Sequence, residues 1–354
     1  PDFNLKGKIV LGKNSELKTI DIFDIKGPKT NAKAKIEFLE VKKKPFVKIN
    51  VSGSSYDLTE FFDKNESRDK ENMQKAVASG KAEDDTVDEL ENVTDSDVFI
   101  AVNNLWTNPQ VPISNFAGSV KLRNGIGVHD LHLIGNYGNS KQVRIKADYI
   151  SKPNNEYFLS IDSNNAGSTL KVLRIYDNMR GGNLRVEAKR NADKEFIGHA
   201  SIRDFSIHNT PVLAKVLTVA SLTGMVNMLT GEGMAFSHFD APFEYKKKIL
   251  SVKESKAFGN VLGITINGYY DRRSEQLNGR GVIAPAYSIN SFIGRIPLVG
   301  NLLSGKDGTV FAANYSVSGS ISDPVVRINP LSALSPSSLK DLFASLFGDK
   351  NSGS

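Results

Sequence analysis

The side chains best suited to chemistry are five histidines, His129, His132, His199, His208 and His238. A metal centre or proton relay needs such groups to converge with carboxylates or a nucleophile. The one close pair, His129-x-x-His132, falls in a strand pattern, where residues i and i+3 face opposite sides. It is a poor metal clamp, and the histidines read as surface or hydrogen-bonded groups. Gly279-Arg280-Gly281 sits mid-strand with no helix after it, so it fails the structural test of a phosphate-cradling loop. Ser304-Gly305-Lys306 lacks the earlier glycine of a P-loop. Asp271-Arg272-Arg273 reads as a turn between strands. With no cysteine, the chain has no disulfide, zinc–thiolate site or thiol nucleophile. The expectation is therefore a protein without catalytic residues, metal or cofactor.

What positions these residues is a chain of 354 residues, 40% hydrophobic and 24% charged, long enough to bury a sizeable core. Its net charge of +6 is uneven: residues 1–50 hold 12 Lys against 6 acids, and residues 57–97 hold 14 acids against 5 Lys/Arg. The basic residues form no Arg-rich stripe interleaved with aromatics, so no nucleic acid is expected as a partner. Residues 63–97 are poor in large apolar side chains and read as an exposed, disordered acidic insertion, with a short helix near Asn72–Ala78. The opening PDFNLKGKIV has no signal-peptide pattern and starts within a strand, which reads as a piece of something longer. No run of about 18 uninterrupted apolar residues occurs.

Elsewhere strands dominate. Val47, Ile49 and Val51 alternate with Lys48 and Asn50, and Asn124-Gly125 predicts a two-residue hairpin turn. Val143, Ile145 and Ala147 alternate with Arg144, Lys146 and Asp148; Leu184 and Val186 alternate with Arg185 and Glu187; Ala200 and Ile202 repeat the theme. Short consecutive strands of this kind indicate antiparallel architecture rather than βαβ units. Helices are predicted over Ser168–Ile175, capped at Ser168, and over Pro211–Thr230, with Thr210 as N-cap and Gly231 as stop. The second is apolar around most of its circumference and is either buried or at a membrane surface. A C-terminal helix over 336–347 gathers Leu339, Leu342, Phe343, Leu346 and Phe347 on one face. Between Tyr287 and Pro330, two apolar segments, Ile289–Ile293 and Ile296–Leu303, lead into a pair of extended runs.

Four segments in order carry a family likeness. They are Ile175–Gly182; Asp204-Phe205 through Asn209-Thr210-Pro211 and its helix to Phe236; Ala257–Asn260 with Gly268–Asp271; and Pro285–Pro330 with Leu331–Leu334. Together, over about residues 165–347, they resemble the C-terminal module of the AsmA-like family of inner-membrane-anchored envelope proteins. The resemblance implies a mainly β fold: an elongated, curved antiparallel sheet shaped like a taco, with a few short helices. Residues 1–62 would continue the sheet, 63–97 would be the insertion, 98–335 the main module and 336–347 the terminal helix. The implied function is a non-enzymatic lipid conduit in the periplasm of a Gram-negative bacterium, moving phospholipid between membranes. Its anchor would be an N-terminal segment absent from this chain. The expected partners are phospholipid, bacterial membranes and envelope proteins, with the chain itself a monomer. Groove-facing, lipid-binding candidates are Val143, Ile145, Ala147, Leu184, Val186, Ala200, Ile202, Ile264 and Ile266. Candidates for membrane or end-cap contact are Leu213, Leu217, Ile296, Leu298 and Leu302. The alternative is an envelope assembly factor that holds a polypeptide or outer-membrane protein precursor by strand addition. Alternation alone serves an open groove and a closed sandwich core equally well.

Overall fold

The computed structural model describes residues 4–64, 93–137, 144–152, 156–191, 193–220, 223–285 and 313–330. The helices expected near 72–78 and over 336–347, the segments 289–303, and candidates Val143, Ile296, Leu298 and Leu302 lie outside the described residues. Of the described residues 69% are in strands, and seventeen strands form one mixed sheet that does not close into a barrel. The fold is mainly β, as the alternation predicts.

The chain divides into two compact units, Pro1–Asp177 with Leu184–Lys194, and Asn178–Asn183 with Glu195–Ser354. The first contains β1 (Asn4–Leu11), β2 (Leu17–Gly27), β3 (Thr30–Val41), β4 (Lys44–Asp57), β5 (Asp95–Trp106), β6 (Pro112–Arg123), β7 (Gly127–Tyr137), β8 (Arg144–Lys152), β9 (Glu156–Ser163), helix α1 (Ala166–Val172) and, from Leu184 onward, β10 (Met179–Arg190). The second contains β11 (Phe196–Ile207), α2 (Pro211–Val219), α3 (Thr223–Thr230), β12 (Met234–Lys246), β13 (Ile249–Phe258), β14 (Leu262–Asp271), β15 (Gln276–Pro285), β16 (Ala313–Ser320) and β17 (Pro324–Pro330).

Within each unit, strands pair with their neighbours in sequence. In the first, the one exception to antiparallel pairing among these is β4 with β5, which run parallel, Phe46 opposite Asp95 and Asp57 opposite Trp106. This corrects the expectation of an antiparallel sheet throughout. Parallel neighbours cannot be joined by a hairpin, because the chain must travel back the length of a strand before it pairs again. Residues 58–94 make that return, so the acidic stretch is part of a crossover. Its boundary also shifts: Asp95, Ser96 and Asp97 belong to β5, where Ser96 is buried and Asp97 accepts from Arg123 Nη2 at 3.0 Å. At the other end, residues 59–64 are helical. The Asp57 carboxylate starts that helix by accepting from Thr59 N–H at 2.8 Å and its hydroxyl at 2.7 Å.

Three further predictions need correction. The β6–β7 turn has three residues, Asn124 to Ile126, with Ile126 N–H donating to Arg123 O at 3.0 Å and positive φ at Gly125 and Gly127. Helix α1 begins two residues before the predicted Ser168, because Asn165 is its N-cap and accepts from Ser168 N–H at 2.9 Å. The single helix predicted over 211–230 is two, α2 and α3. Near the end of α2 the Thr218 hydroxyl donates to Ala214 O at 2.8 Å, a back-bond that weakens a final turn already carrying β-branched Val219. Thr210 does occupy the N-cap of α2, with Pro211 next, but its side chain makes no capping bond and donates instead to His208 O at 3.3 Å.

Candidate functional site

The registers turn alternation into surfaces. In the first unit, Ile9, Ile20, Ile36, Ile49, Val98, Val120, Leu131, Tyr149, Leu159 and Ala188 stand opposite one another in succession, one from each of β1 to β10. Two residues along lies a parallel row of Gly7, Ile22, Ala34, Val51, Ile100, Gly118, Leu133, Ala147, Ile161 and Val186. Every member of both rows is apolar. The residues between them point to the other face: Lys8, Asp21, Lys35, Asn50, Phe99, Ser119, His132, Asp148, Ser160 and Glu187. That row is polar except at Phe99, and the same face carries Ala101, Ala117 and the exposed Ile134 in the next row.

Ten strands spaced about 4.8 Å apart make each apolar row roughly 43 Å long. Most of its side chains are half-buried, and Ile9 on β1 is 66% exposed. One end of the wall is covered. Val172 of α1 joins Val102, Leu105, Ile113, Phe116, Tyr137 and Ile145 in a closed cluster. Polar bonds fix the helix there: Thr107 Oγ1 donates to Val172 O at 2.8 Å, and the Tyr137 hydroxyl donates to Thr169 Oγ1 at 3.0 Å. Burial pushes the Tyr137 phenol well above its ordinary range, the bond to Thr169 offsetting only part of that effect.

The second unit has the same construction. Ile202, Phe239, Ala257, Ile264, Ile283 and Ala313 stand in one row, and Gly198, Phe243, Val252, Gly268, Gly279, Val317 and Val326 in another on the same face. Helix α2 packs against β17 and α3, with Leu213, Val216 and Leu217 buried and Lys215 directed out to Asp323 at 3.0 Å.

Among the candidates, Ile145, Ala147, Leu184 and Val186 share the apolar face of the first unit, and Ala200, Ile202, Ile264 and Ile266 that of the second. Their environments differ. Ile145 is 0% exposed beneath Val172, so it is a core residue that no ligand reaches without displacing α1. Val186, Ala200, Ile264 and Ile266 are half-buried and accessible. Leu213 and Leu217 are packed within the protein. Half-buried Ile100, Leu133 and Ile161, missing from the candidates, lie in the same rows, and their own alternation was the signal that could have found them.

Among the described residues, the polar clusters around the histidines do not form a catalytic relay. Ser151, His129 and Asp130 adjoin, but Asp130 Oδ2 at 3.0 Å and Ser151 Oγ at 3.4 Å both meet the same imidazole nitrogen, Nδ1. A relay needs them on opposite nitrogens. The Ser151 hydroxyl also lies 3.2 Å from Asp130 Oδ1, and Ser151 N–H donates to that oxygen at 3.2 Å. Burial alone pushes the Asp130 carboxyl up, but these bonds with those from His129 and Lys121 more than reverse it and hold it well below the usual carboxylate range. His132 instead meets Asp148 at 2.8 Å on the polar face, so the His129/His132 pair diverges. His199 lies 2.8 Å and His238 3.7 Å from the Asp240 carboxylate. Among the described residues no group of three or more His, Cys, Asp or Glu is placed to hold a metal, and no helix is long and apolar enough to cross a membrane.

Comparison of the chain with protein-family models, with curated proteins and with solved structures finds no match.

Proposed function

We propose that this protein is a non-enzymatic lipid carrier of a bacterial envelope, passing phospholipid acyl chains along apolar sheet faces. The observation that carries the reading is the pair of apolar rows across β1 to β10, half-buried over most of their length, with a mainly polar row between them on the opposite face. Taking an acyl chain through water costs about 0.8 kcal/mol per methylene, so roughly 12 kcal/mol for a chain of about sixteen carbons. A wall of valine, isoleucine and leucine removes most of that barrier without any catalytic group. The likeness of residues 165–347 to the AsmA-like module supports the same reading and suggests the periplasm as its setting.

Native mass spectrometry of the purified protein, followed by lipid extraction, tests the proposal. Bound phospholipid released by organic solvent is the expected result. A lipid-free protein that also takes up no phospholipid from vesicles, yet binds extended peptide saturably, would replace this reading with the assembly-factor one.

A further inference from the structure

We infer that the polar face of the second unit carries a binding site for a phosphoryl group. A depression of 920 Å³ opens there over β13 to β17. Arg280, Ser316 and Arg327 stand directly opposite one another on β15, β16 and β17, so the two arginines flank one serine, and all three line the depression. Their strands are two spacings apart, about 10 Å, and two arginine side chains bridge that gap easily onto a single anion. Neither guanidinium has an ion-pair or hydrogen-bond partner among the described residues. Asn314 and Asn329, paired on the next row, add amide donors to the same depression.

The charge and donor balance selects the ligand class. The lining has three cations, Lys256, Arg280 and Arg327, against one carboxylate, Glu254. Lys256 stands opposite Asp240, which leaves the two arginines as the principal anion ligands. Asn267 Oδ1 already accepts from Glu254 N–H at 2.7 Å, and Thr265 Oγ1 from Val282 N–H at 2.8 Å, so acceptors here are in use while donors remain. A tetrahedral phosphate, with several acceptor oxygens, suits forked arginines plus a hydroxyl better than a neutral ligand does. A concave site further concentrates the positive field.

The site also accounts for Gly279-Arg280-Gly281. A Cβ at Gly281 would sit 1.8 Å from Thr265 O and 2.9 Å from Tyr315 Cε1. Glycine on the apolar side lets the neighbouring strand and ring close in, and Arg280 projects from a tightly held backbone into the depression. Because this face is opposite the apolar rows, the phosphoryl group is not the head of a lipid whose tails lie on them. The inference stands independently of the lipid reading.

Isothermal titration of the full chain with inorganic phosphate, at ionic strength held constant with chloride, tests it. Saturable binding is expected, weakened about tenfold or more by Arg280→Gln or Arg327→Gln, with the double variant losing less than the product of the two. Ser316→Asp places a carboxylate between the arginines and should abolish binding while keeping the fold, so it decides the matter even if an arginine variant misfolds. Flotation with phosphatidylglycerol-containing vesicles separates the sources. Flotation blocked by phosphate and lost in Ser316→Asp assigns a lipid headgroup, whereas phosphate binding without flotation assigns a soluble phosphorylated ligand. Absence of phosphate binding above the chloride background, or binding unchanged in all three variants, overturns the site.

Discussion

Val186→Asp separates an apolar wall that serves a ligand from one that serves only the fold. Val186 is half-buried at the β10 end of its row, while Ile145 is sealed under Val172 and Phe116. In the lipid-free protein an aspartate at 186 keeps its water, so the loss is about half of a valine's burial, roughly 1 kcal/mol. Melting should fall by only a few degrees. Under an acyl chain the same carboxylate is desolvated and unpaired, which costs several kcal/mol and lowers occupancy by about a hundredfold or more. Ile145→Asp should instead unfold the first unit, because its charge has no water to retain, so that variant cannot report on lipid. Lys146→Glu, on the exposed polar face beside Asp148, exchanges an ion pair of 2.8 Å for a solvent-screened repulsion and should leave melting and lipid occupancy nearly unchanged. The assay is paired: thermal melting and lipid occupancy by native mass spectrometry on each variant. Full occupancy in a folded Val186→Asp protein would refute the argument that this wall carries acyl chains.

Three other outcomes follow from particular contacts. The register of β4 and β5 sets their connection at eleven residues of strand, roughly 36 Å; replacing residues 63–94 by about four Gly/Ser residues should destroy cooperative unfolding, and about sixteen should restore it. Equal melting with both linkers would disprove the parallel pairing. Ser255 is fully buried with no partner for its hydroxyl, so Ser255→Ala should raise stability by about 1 kcal/mol in urea unfolding, and a loss would mean the hydroxyl is bonded. Burial raises the Tyr137 and Tyr315 phenols, which favours their neutral forms in the folded state. That contribution is complete below the unfolded value of about 10 and is lost as pH rises above it. Melting measured from about pH 9 to 12 should fall less steeply in the Tyr137→Phe, Tyr315→Phe double variant, and an unchanged slope would assign the alkaline loss to other groups.

Facing was legible from sequence wherever alternation was regular. Ile145 against Lys146, Val186 against Glu187 and Ile202 against Arg203 all point as their spacing predicts. What alternation could not supply was depth, because the same period of two describes a residue under a helix and one in the open. Ile145 and Val186 differ only because α1, whose capping Asn165 lies outside the predicted helix, folds back over one end of the wall. Register was hidden for a related reason. Arg280 and Arg327 have no sequence spacing that marks them as a pair, and they flank Ser316 only after β15, β16 and β17 are aligned. The parallel pair was hidden most completely. The acid-rich composition of residues 63–97 masks the start of β5 at Asp95, and a crossover differs from an insertion only in where its ends must meet. That difference has a physical consequence. A hairpin insertion can be trimmed to its turn, whereas this connection must span the strand, so its length is constrained by β4 even where its composition is not.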